Sequence, residues 1–221
     1  MVAKRIAAYK LYIFDWDGTL STSTSLVKLS RLFKRRYDIK YIREHADDYK
    51  VERVKNLKVK EEVNRLYARI YDTYSHFTRP RLQPGAIELL KDLKRRGKKV
   101  AIFSDSTQYR LIKETRMLGV IKYADFVLSA DSITKYKPNP HGLLVIVQKF
   151  GERKEESVYV GDMASDILTA RFAKIDICSV GNGVDPYGLL KEVGPDYIFR
   201  NLDGFRKAFY RKGSPSAPRQ P

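Results

Sequence analysis

The sequence predicts an α/β protein with a doubly wound, mainly parallel sheet and a small helical domain inserted after the first strand. Short, mostly apolar runs alternate with helical patterns from residue 99 onward. Such runs are typical of strands that are buried on both faces, as in parallel sheets. Their alternation with helices indicates a sheet that has helices packed on both sides. A block of helical periodicity directly after the first run predicts the insertion.

Six apolar runs are the candidate strands, and helical patterns lie between them. The runs are residues 9–14, 99–103, 125–128, 157–160, 177–180 and 197–199. The helical patterns are residues 85–96, 107–118 and 140–150. In the first pattern Ile87, Leu90 and Leu93 share one face, which is typical of an amphipathic helix. Gly97 is a typical stop for this helix, and we expect a further helix after Gly161.

Residues 21–82 interrupt the alternation of strands and helices. They show helical periodicity and contain no convincing strand. We therefore expect a core domain formed by residues 1–20 and 83–212, with residues 21–82 as a separate helical domain. Residues 213–221 are rich in Pro and Ser and lack apolar periodicity, so we expect a disordered tail.

The composition limits the class and the compartment of the protein. A chain of 221 residues with 43% hydrophobic residues predicts a globular protein with a sizeable core. No run approaches the roughly 18 apolar residues of a membrane span, so no membrane association is expected. The N-terminal residues lead into the first strand, and we expect no signal peptide. The single cysteine, Cys178, excludes an internal disulfide and fits a reducing compartment, which predicts a cytoplasmic location.

The formal net charge of +17 is compatible with three interpretations. The first is a thermophile-like surface, because 31% of the residues are charged and Tyr is abundant. The second is attraction of small anionic substrates, and the third is binding to nucleic acid. No Arg/Gly-rich tract or aromatic and basic RNA motif supports the third interpretation.

Two carboxylates follow the first predicted strand. Asp15 and Asp17 lie in the stretch IFDWDGTL, at the strand end where open α/β sheets bind ligands. Two close carboxylates repel each other, so we expect a metal ion, a lysine or both beside them. Gly18 permits a tight turn with exposed backbone amides. The alternative is an acidic turn with a helix N-cap at Thr19 or Ser21.

Polar residues also follow other predicted strands. Ser104 and Asp105 follow the second run, and Asp162 and Asp166 follow the fourth. Lys137 lies in the stretch KPNP, before a helical pattern. Since the carboxyl ends of parallel strands lie at one edge of a sheet, all these residues could converge on one site.

Such a site would combine an acidic and a basic part. Asp15, Asp162 and Asp166 would form an oxygen-rich pocket suited to Mg²⁺. A hydroxyl, a lysine and loop amides would hold a tetrahedral anion. The alternative for the last two acids is that they only favour the N-terminus of a helix.

Four motifs in this order resemble those of the haloacid dehalogenase (HAD) superfamily, on its phosphatase side. FDWDGTL resembles the first motif, and IFSD, with Ser104, resembles the second. KPNP, with Lys137, resembles the third motif. GDMASD, with Asp162 and Asp166, resembles the fourth. Together the motifs span most of the chain.

The resemblance implies a role for each motif residue. Asp15 is the implied nucleophile, and Asp17 is the implied acid and base for the leaving group and the attacking water. Lys137 balances negative charge at the reacting centre. The implied substrate-binding residues are Ser104, Asp105, Gly18, Thr19 and Trp16. The implied metal ligands are Asp15, the backbone carbonyl of Asp17, Asp162 and Asp166, the last either directly, through water or only by orienting its neighbours. One departure is Asp105, since relatives often carry Asn there.

The resemblance implies a Rossmann-like core and a phosphoglycolate-phosphatase-like enzyme whose helical domain is a small C1-type cap. The expected activity is Mg²⁺-dependent hydrolysis of a small phosphomonoester, such as phosphoglycolate or a sugar or nucleotide phosphate, through an aspartyl-phosphate. Family members that act on haloacids or phosphonates lack the second aspartate, so Asp17 favours phosphoester chemistry. A phosphomutase with the same residues stays open, as does a nucleic-acid-associated phosphatase or binding protein. The size and the short cap predict a monomer or homodimer.

Overall fold

The computed structural model describes residues 6–22 and 80–209, together with the helical positions 66, 69 and 73. Nearly all of the expected cap, residues 21–82, and the whole expected tail, residues 213–221, lie outside the described residues. The proposed domain boundaries therefore stay predictions.

A single six-stranded sheet forms the centre of the described structure. Its strands are β1 (Leu11–Phe14), β2 (Lys99–Ser104), β3 (Phe126–Ser129), β4 (Ser157–Gly161), β5 (Asp176–Val180) and β6 (Tyr197–Phe199). All neighbouring strands are parallel, in the order β3-β2-β1-β4-β5-β6. Each predicted strand forms, with its ends within two residues of the prediction. The α/β, mainly parallel fold class is confirmed.

Seven α-helices within residues 80–209 connect or follow the strands. They are α1 (Ala86–Arg95), α2 (Gln108–Met117), α3 (Ala130–Ile133), α4 (His141–Phe150), α5 (Ala164–Ala173), α6 (Tyr187–Val193) and α7 (Leu202–Ala208). Short 3₁₀ helices add single turns at Ile6–Ala8, Ile121–Tyr123 and Lys154–Glu156. The four longest helices match the sequence prediction. No helix in this part of the chain is long and apolar enough to cross a membrane.

Alternate residues of β1 point to opposite faces of the sheet, and each face carries its own helices. Tyr12 and Phe14 lie in one hydrophobic cluster with residues of α1, α2 and α7. Leu11 and Ile13 lie in a second cluster with residues of α4, α5 and α6. All four side chains are fully buried. Helices therefore cover both faces, as a doubly wound sheet requires.

Two extended segments connect this core to residues 23–79. The N–H of Thr22 donates to the carbonyl of Arg81 at 2.7 Å, and the N–H of Gln83 donates to the carbonyl of Leu20 at 2.9 Å. Ser21 and Leu82 form an antiparallel bridge between them. The outgoing and returning segments are thus paired directly beside the carboxyl end of β1.

Candidate active site

The candidate site lies where the strand order reverses. The chain begins the sheet at β1, adds β2 and β3 on one side and then crosses to β4 on the other side. Open α/β sheets bind ligands in the crevice beyond the strand ends at such a switch point. Asp15 directly follows β1, and its N–H donates to the Val160 carbonyl of β4 at 2.8 Å. Asp162 directly follows β4, so two carboxylates meet at this crevice.

Three buried carboxylates form the centre of the site. Asp15, Asp162 and Asp166 each offer one oxygen, and these oxygens all lie within 4.8 Å of one another. Carboxylate oxygens are the donors that hard divalent cations such as Mg²⁺ prefer in proteins. The donor set therefore fits a divalent metal ion.

Lys137 provides positive charge inside this cluster. Its side chain is buried, and Nζ donates to Asp15 Oδ1 and, at 3.0 Å, to Asp166 Oδ1. Burial alone would lower the pKa of Lys137, but the surrounding carboxylates outweigh it and raise the pKa above the ordinary value. The lysine is therefore a permanent cation at neutral pH. The sequence predicts a metal ion, a lysine or both beside the acids, and the structure places this lysine there.

Burial has the opposite effect on the pKa of Asp15, the candidate nucleophile. Desolvation raises the pKa of the Asp15 carboxyl well above its ordinary value, Lys137 lowers it, and the two neighbouring carboxylates raise it further. A metal ion between the carboxylates would favour the ionised, nucleophilic form of Asp15.

The loop after β1 approaches Asp162 very closely. Gly18 has a φ of 93°, and a Cβ at this position would overlap the Asp162 carboxylate. Thr19 Oγ1 donates to Asp162 Oδ1 at 2.8 Å and lies 3.4 Å from Asp15 Oδ2. The structure thus places two of the predicted substrate-binding residues against the carboxylate cluster.

Asp166 is held at the start of α5 by several donors. Its Oδ2 accepts hydrogen bonds from the N–H groups of Asp162 and Met163, both at 3.1 Å. Its Oδ1 accepts from the Tyr159 hydroxyl at 3.0 Å as well as from Lys137. Burial, followed by the charge of Asp166, raises the pKa of Tyr159 well above its ordinary value, so the phenol stays protonated and donates. Four donors therefore fix the orientation of this carboxylate.

The Asp17 side chain contacts α2. Its Oδ1 accepts from Arg110 Nη1 at 3.0 Å, and its Oδ2 accepts from Arg110 Nη2. Arg110 Nη1 also lies 3.3 Å from Glu114 Oε1, one helical turn later. The indole N–H of Trp16 donates to Glu114 Oε2 at 2.6 Å. The loop after β1 is thus tied to α2 through two successive side chains.

The residues after β2 support the site from the other side. The hydroxyls of Ser104 and Ser106 are hydrogen-bonded to each other, and the Ser106 N–H donates to Ser104 Oγ at 3.1 Å. Asp105 Oδ1 accepts from the backbone N–H of Lys137 at 3.0 Å. Asp105, the departure from the expected Asn, therefore positions the segment that carries the buried lysine.

The comparisons with known proteins identify the family of the chain. Residues 12–180 match the family model described as haloacid dehalogenase-like hydrolase. The chain belongs to this family. The membership confirms the prediction of a HAD-like enzyme, and the family match covers the four motifs from Asp15 to Asp166.

Relatives of this HAD family member include phosphatases. The chain is 29% identical over 204 residues to the pyrophosphatase PpaX of Halalkalibacterium halodurans, with 86% of this chain and 92% of the relative covered. It is 32% identical over 127 residues to the phosphoglycolate phosphatase of Nitrosococcus oceani, with 56% and 55% covered. The name phosphoglycolate phosphatase agrees with the prediction of a phosphoric monoester hydrolase.

Solved HAD structures show the same fold. A HAD family hydrolase from Deinococcus radiodurans with bound phosphate and sodium has a TM-score of 0.64 at 20% identity, covering 91% of this chain and 95% of that chain. CbbY from Rhodobacter sphaeroides in complex with phosphate has a TM-score of 0.60 at 16% identity, covering 88% and 95%. The likeness supports the Rossmann-like core that the HAD motifs imply.

The HAD core brings most of the predicted site residues together, and it adds others. Asp15, Lys137, Asp162 and Asp166 form one contact network, with Thr19 against it. The Trp16 side chain is instead fully buried against α2, so only its backbone could reach a ligand. The sequence reasoning did not identify the residues that hold the motif residues in place. These are Ser106, Arg110, Glu114 and Tyr159.

Proposed function

We propose that this HAD family member is a Mg²⁺-dependent phosphatase that hydrolyses a small phosphomonoester through an aspartyl-phosphate. One observation carries the proposal: the buried Asp15 carboxylate contacts the Lys137 ammonium and lies within reach of two further carboxylates at the switch point of the sheet. A phosphomonoester is a dianion, so an anionic nucleophile needs such positive charge beside it.

The choice of metal ligands follows from the hydrogen bonds that the carboxylate oxygens already accept. We assign them to the Asp15 side chain, the Asp17 backbone carbonyl and Asp162. A carboxylate has about four acceptor sites, and Asp166 already has four donors within hydrogen-bond distance. Asp166 therefore orients Lys137 and the fourth motif rather than binding the metal directly. When bound, Mg²⁺ would screen the repulsion between the phosphate and Asp15.

The reaction has two balanced steps. Asp15 attacks phosphorus, an O–P bond forms, and the bond to the leaving oxygen breaks as Asp17 donates a proton to that oxygen. Asp17, now ionised, accepts a proton from water as the water oxygen attacks phosphorus and Asp15 leaves. Lys137 stays protonated throughout and stabilises the negative charge on Asp15 and the phosphoryl oxygens.

Groups around Asp15 would hold the phosphoryl oxygens. The hydroxyl of Ser104 and the backbone amides of Trp16, Gly18 and Thr19 are the proposed donors. Asp105 acts indirectly, through its hydrogen bond to the Lys137 backbone. The resulting partner is a small phosphorylated metabolite.

Pyrophosphate is a second candidate substrate. The relative named pyrophosphatase PpaX aligns with 86% of this chain, whereas the phosphoglycolate phosphatase of Nitrosococcus oceani aligns with 56%. The proposed residues would act on a phosphoanhydride in the same two steps, with phosphate as the leaving group. We therefore include pyrophosphate among the substrates to be tested.

The test is phosphate release from phosphoglycolate, sugar phosphates, nucleotide monophosphates and pyrophosphate, with Mg²⁺ and with EDTA. We expect turnover that requires Mg²⁺ and is lost in Asp15→Asn. Asp203→Asn is the matched control, because Asp203 lies on α7 and forms ion pairs with Arg206 and Lys207 of the same helix. Turnover that persists in EDTA or in the Asp15→Asn variant would refute the proposal.

A further inference from the structure

The two aspartates of the first motif are held by separate sets of partners. In the described part of the chain, Asp15 contacts Lys137 and Thr19. Asp17 instead contacts Arg110 and, at 3.5 Å, the hydroxyl of Ser106. These two sets of side-chain partners have no residue in common. The orientation of Asp17 is therefore set independently of the cation beside the nucleophile.

Arg110 is itself rigidly placed. It lies in the first turn of α2, its N–H donates to the N-cap hydroxyl of Thr107 at 3.3 Å, and its side chain is only 3% exposed. Glu114 contacts its guanidinium from the next turn. A buried guanidinium between two carboxylates has little freedom to turn, because any rotation would leave a buried charge without its partner.

Arg110 and Asp17 form a bidentate ion pair, which we call the clamp. Two guanidinium nitrogens donate to two different carboxylate oxygens, which fixes both the position and the plane of the carboxylate. Oδ1 keeps a further lone pair for the substrate side, whereas Oδ2 also accepts from the Ser106 hydroxyl at 3.5 Å. Asp17 keeps 19% of its side chain exposed, so the ion pair with Arg110 does not bury it completely.

Glu114 connects the clamp back to the same loop. It accepts a hydrogen bond from the indole of Trp16, which lies between the two aspartates in sequence. Trp16 is fully buried and is the single tryptophan of the chain. Any loosening of the clamp therefore changes the environment of one identifiable fluorophore.

We propose that Arg110 is a positioning residue that aims the Asp17 carboxylate at the leaving oxygen of the substrate, and that Glu114 and Trp16 hold Arg110 in place. The inference rests on the proposed function, in which Asp17 donates the proton to that oxygen. It extends this function to a residue outside the four motifs.

The test compares phenyl phosphate with p-nitrophenyl phosphate, which have nearly the same shape. Proton donation to the leaving oxygen assists the departure of phenolate much more than the departure of p-nitrophenolate. Because general acid catalysis contributes about 10²–10⁴-fold, we expect Arg110→Met to lower kcat/KM for phenyl phosphate roughly 10-fold more than for p-nitrophenyl phosphate. Asp17→Asn should show the same selectivity, and the double variant should be no worse than Asp17→Asn alone.

Further variants separate positioning from folding. Arg110→Lys keeps the positive charge but loses the bidentate contact with Asp17, so we expect intermediate selectivity. Glu114→Gln gives a second, milder disturbance should Arg110→Met fail to fold. Both Arg110→Met and Glu114→Gln should shift the emission of Trp16. Arg116→Met, exposed on the last turn of α2, should change neither selectivity nor emission.

The outcomes distinguish this inference from the proposed function. If wild-type protein hydrolyses neither substrate, or Asp17→Asn shows no selectivity, the proposed function fails and the inference fails with it. If Asp17→Asn shows the selectivity but Arg110→Met lowers kcat/KM equally for both substrates, Arg110 has only a structural role. If Arg110→Met mainly raises KM for both substrates, Arg110 binds phosphate. Either of the last two results overturns the inference alone.

Discussion

The hydroxyl of Thr19 donates a hydrogen bond to Asp162 Oδ1 at 2.8 Å and joins the loop after β1 to the loop after β4. The two residues are far apart in sequence, but their strands are neighbours at the switch point of the sheet. Val184 N–H donates to the other oxygen of Asp162 at 2.6 Å. The proposed metal ligand is therefore oriented from both sides.

Thr19→Val tests this orientation, since valine keeps the shape of threonine and removes the hydroxyl. We expect the Mg²⁺ concentration for half-maximal activity to rise roughly 10-fold, the lower end of the effect of removing a group that orients a ligand. The rate at saturating Mg²⁺ should change little. Thr19→Ser keeps the hydroxyl and serves as the control. An unchanged Mg²⁺ dependence in Thr19→Val would show that the hydroxyl does not orient the ligand.

Gly18→Ala should damage both the fold and the site. Gly18 combines a positive φ with a close approach to Asp162, whereas a Cβ added to Gly119, which has a φ of 68°, would meet no atom of the described residues within 4 Å. Gly119→Ala should therefore cost only the left-handed penalty of about 1–2 kcal/mol. We expect Gly18→Ala to lower the Tm further and to abolish activity. Equal Tm values for the two variants would contradict the close approach.

Glu114 predicts a pH dependence of stability. Burial raises its pKa above the ordinary 4.5, and Arg110 only partly opposes this. Between the unfolded and the folded pKa, the folded state therefore binds more protons than the unfolded state, and stability falls as pH rises through this window. Glu114→Gln removes this dependence. The Tm of wild type minus the Tm of Glu114→Gln should fall as pH rises from about 4 toward neutrality. A difference that rises with pH would contradict a raised pKa.

A hydrogen-bond cluster at the opposite edge of the sheet should affect stability alone. Tyr9 donates to Asp176 and lies 3.0 Å from the Tyr197 hydroxyl, at the amino ends of β1, β5 and β6. Tyr9→Phe should destabilise the protein by about 1 kcal/mol, the net contribution of a typical hydrogen bond. We expect kcat and KM to stay unchanged. A change in either parameter would show that this edge is coupled to the site.

The sheet could be predicted because its strands are short apolar runs buried on both faces, a pattern that does not depend on distant partners. Helix α6 (Tyr187–Val193) was not predicted. It has seven residues, contains Gly188 and has Gly194 as its C-cap, so its local signal is weak. Helix α7 (Leu202–Ala208), also of seven residues with an internal glycine, was not predicted for the same reason.

The candidate site likewise contains residues that local sequence patterns indicate and residues that they do not. The motif acids were predicted because they follow strand ends, which a parallel sheet brings to one edge. Lys137 was predicted from the stretch KPNP before a helical pattern. The contact of Arg110 with Asp17 spans 93 positions and has no local signal. Arg110 and Glu114 are four residues apart on α2, a spacing that is usual for exposed ion pairs. Only the packing of α2 against the loop after β1 buries them.

The most direct test of the account is to trap the phosphoryl group on Asp15. Asp17→Asn should accept the phosphoryl group from p-nitrophenyl phosphate, which needs little acid assistance, but should hydrolyse it slowly without a base. After acid quenching and digestion, mass spectrometry should show one phosphoryl group on the peptide that contains Asp15, and none in Asp15→Asn. Because position 17 has no carboxylate in Asp17→Asn, Asp17 is excluded as the modified residue. Release of phosphate without any modification of this peptide, or modification at another residue, would contradict the aspartyl-phosphate mechanism.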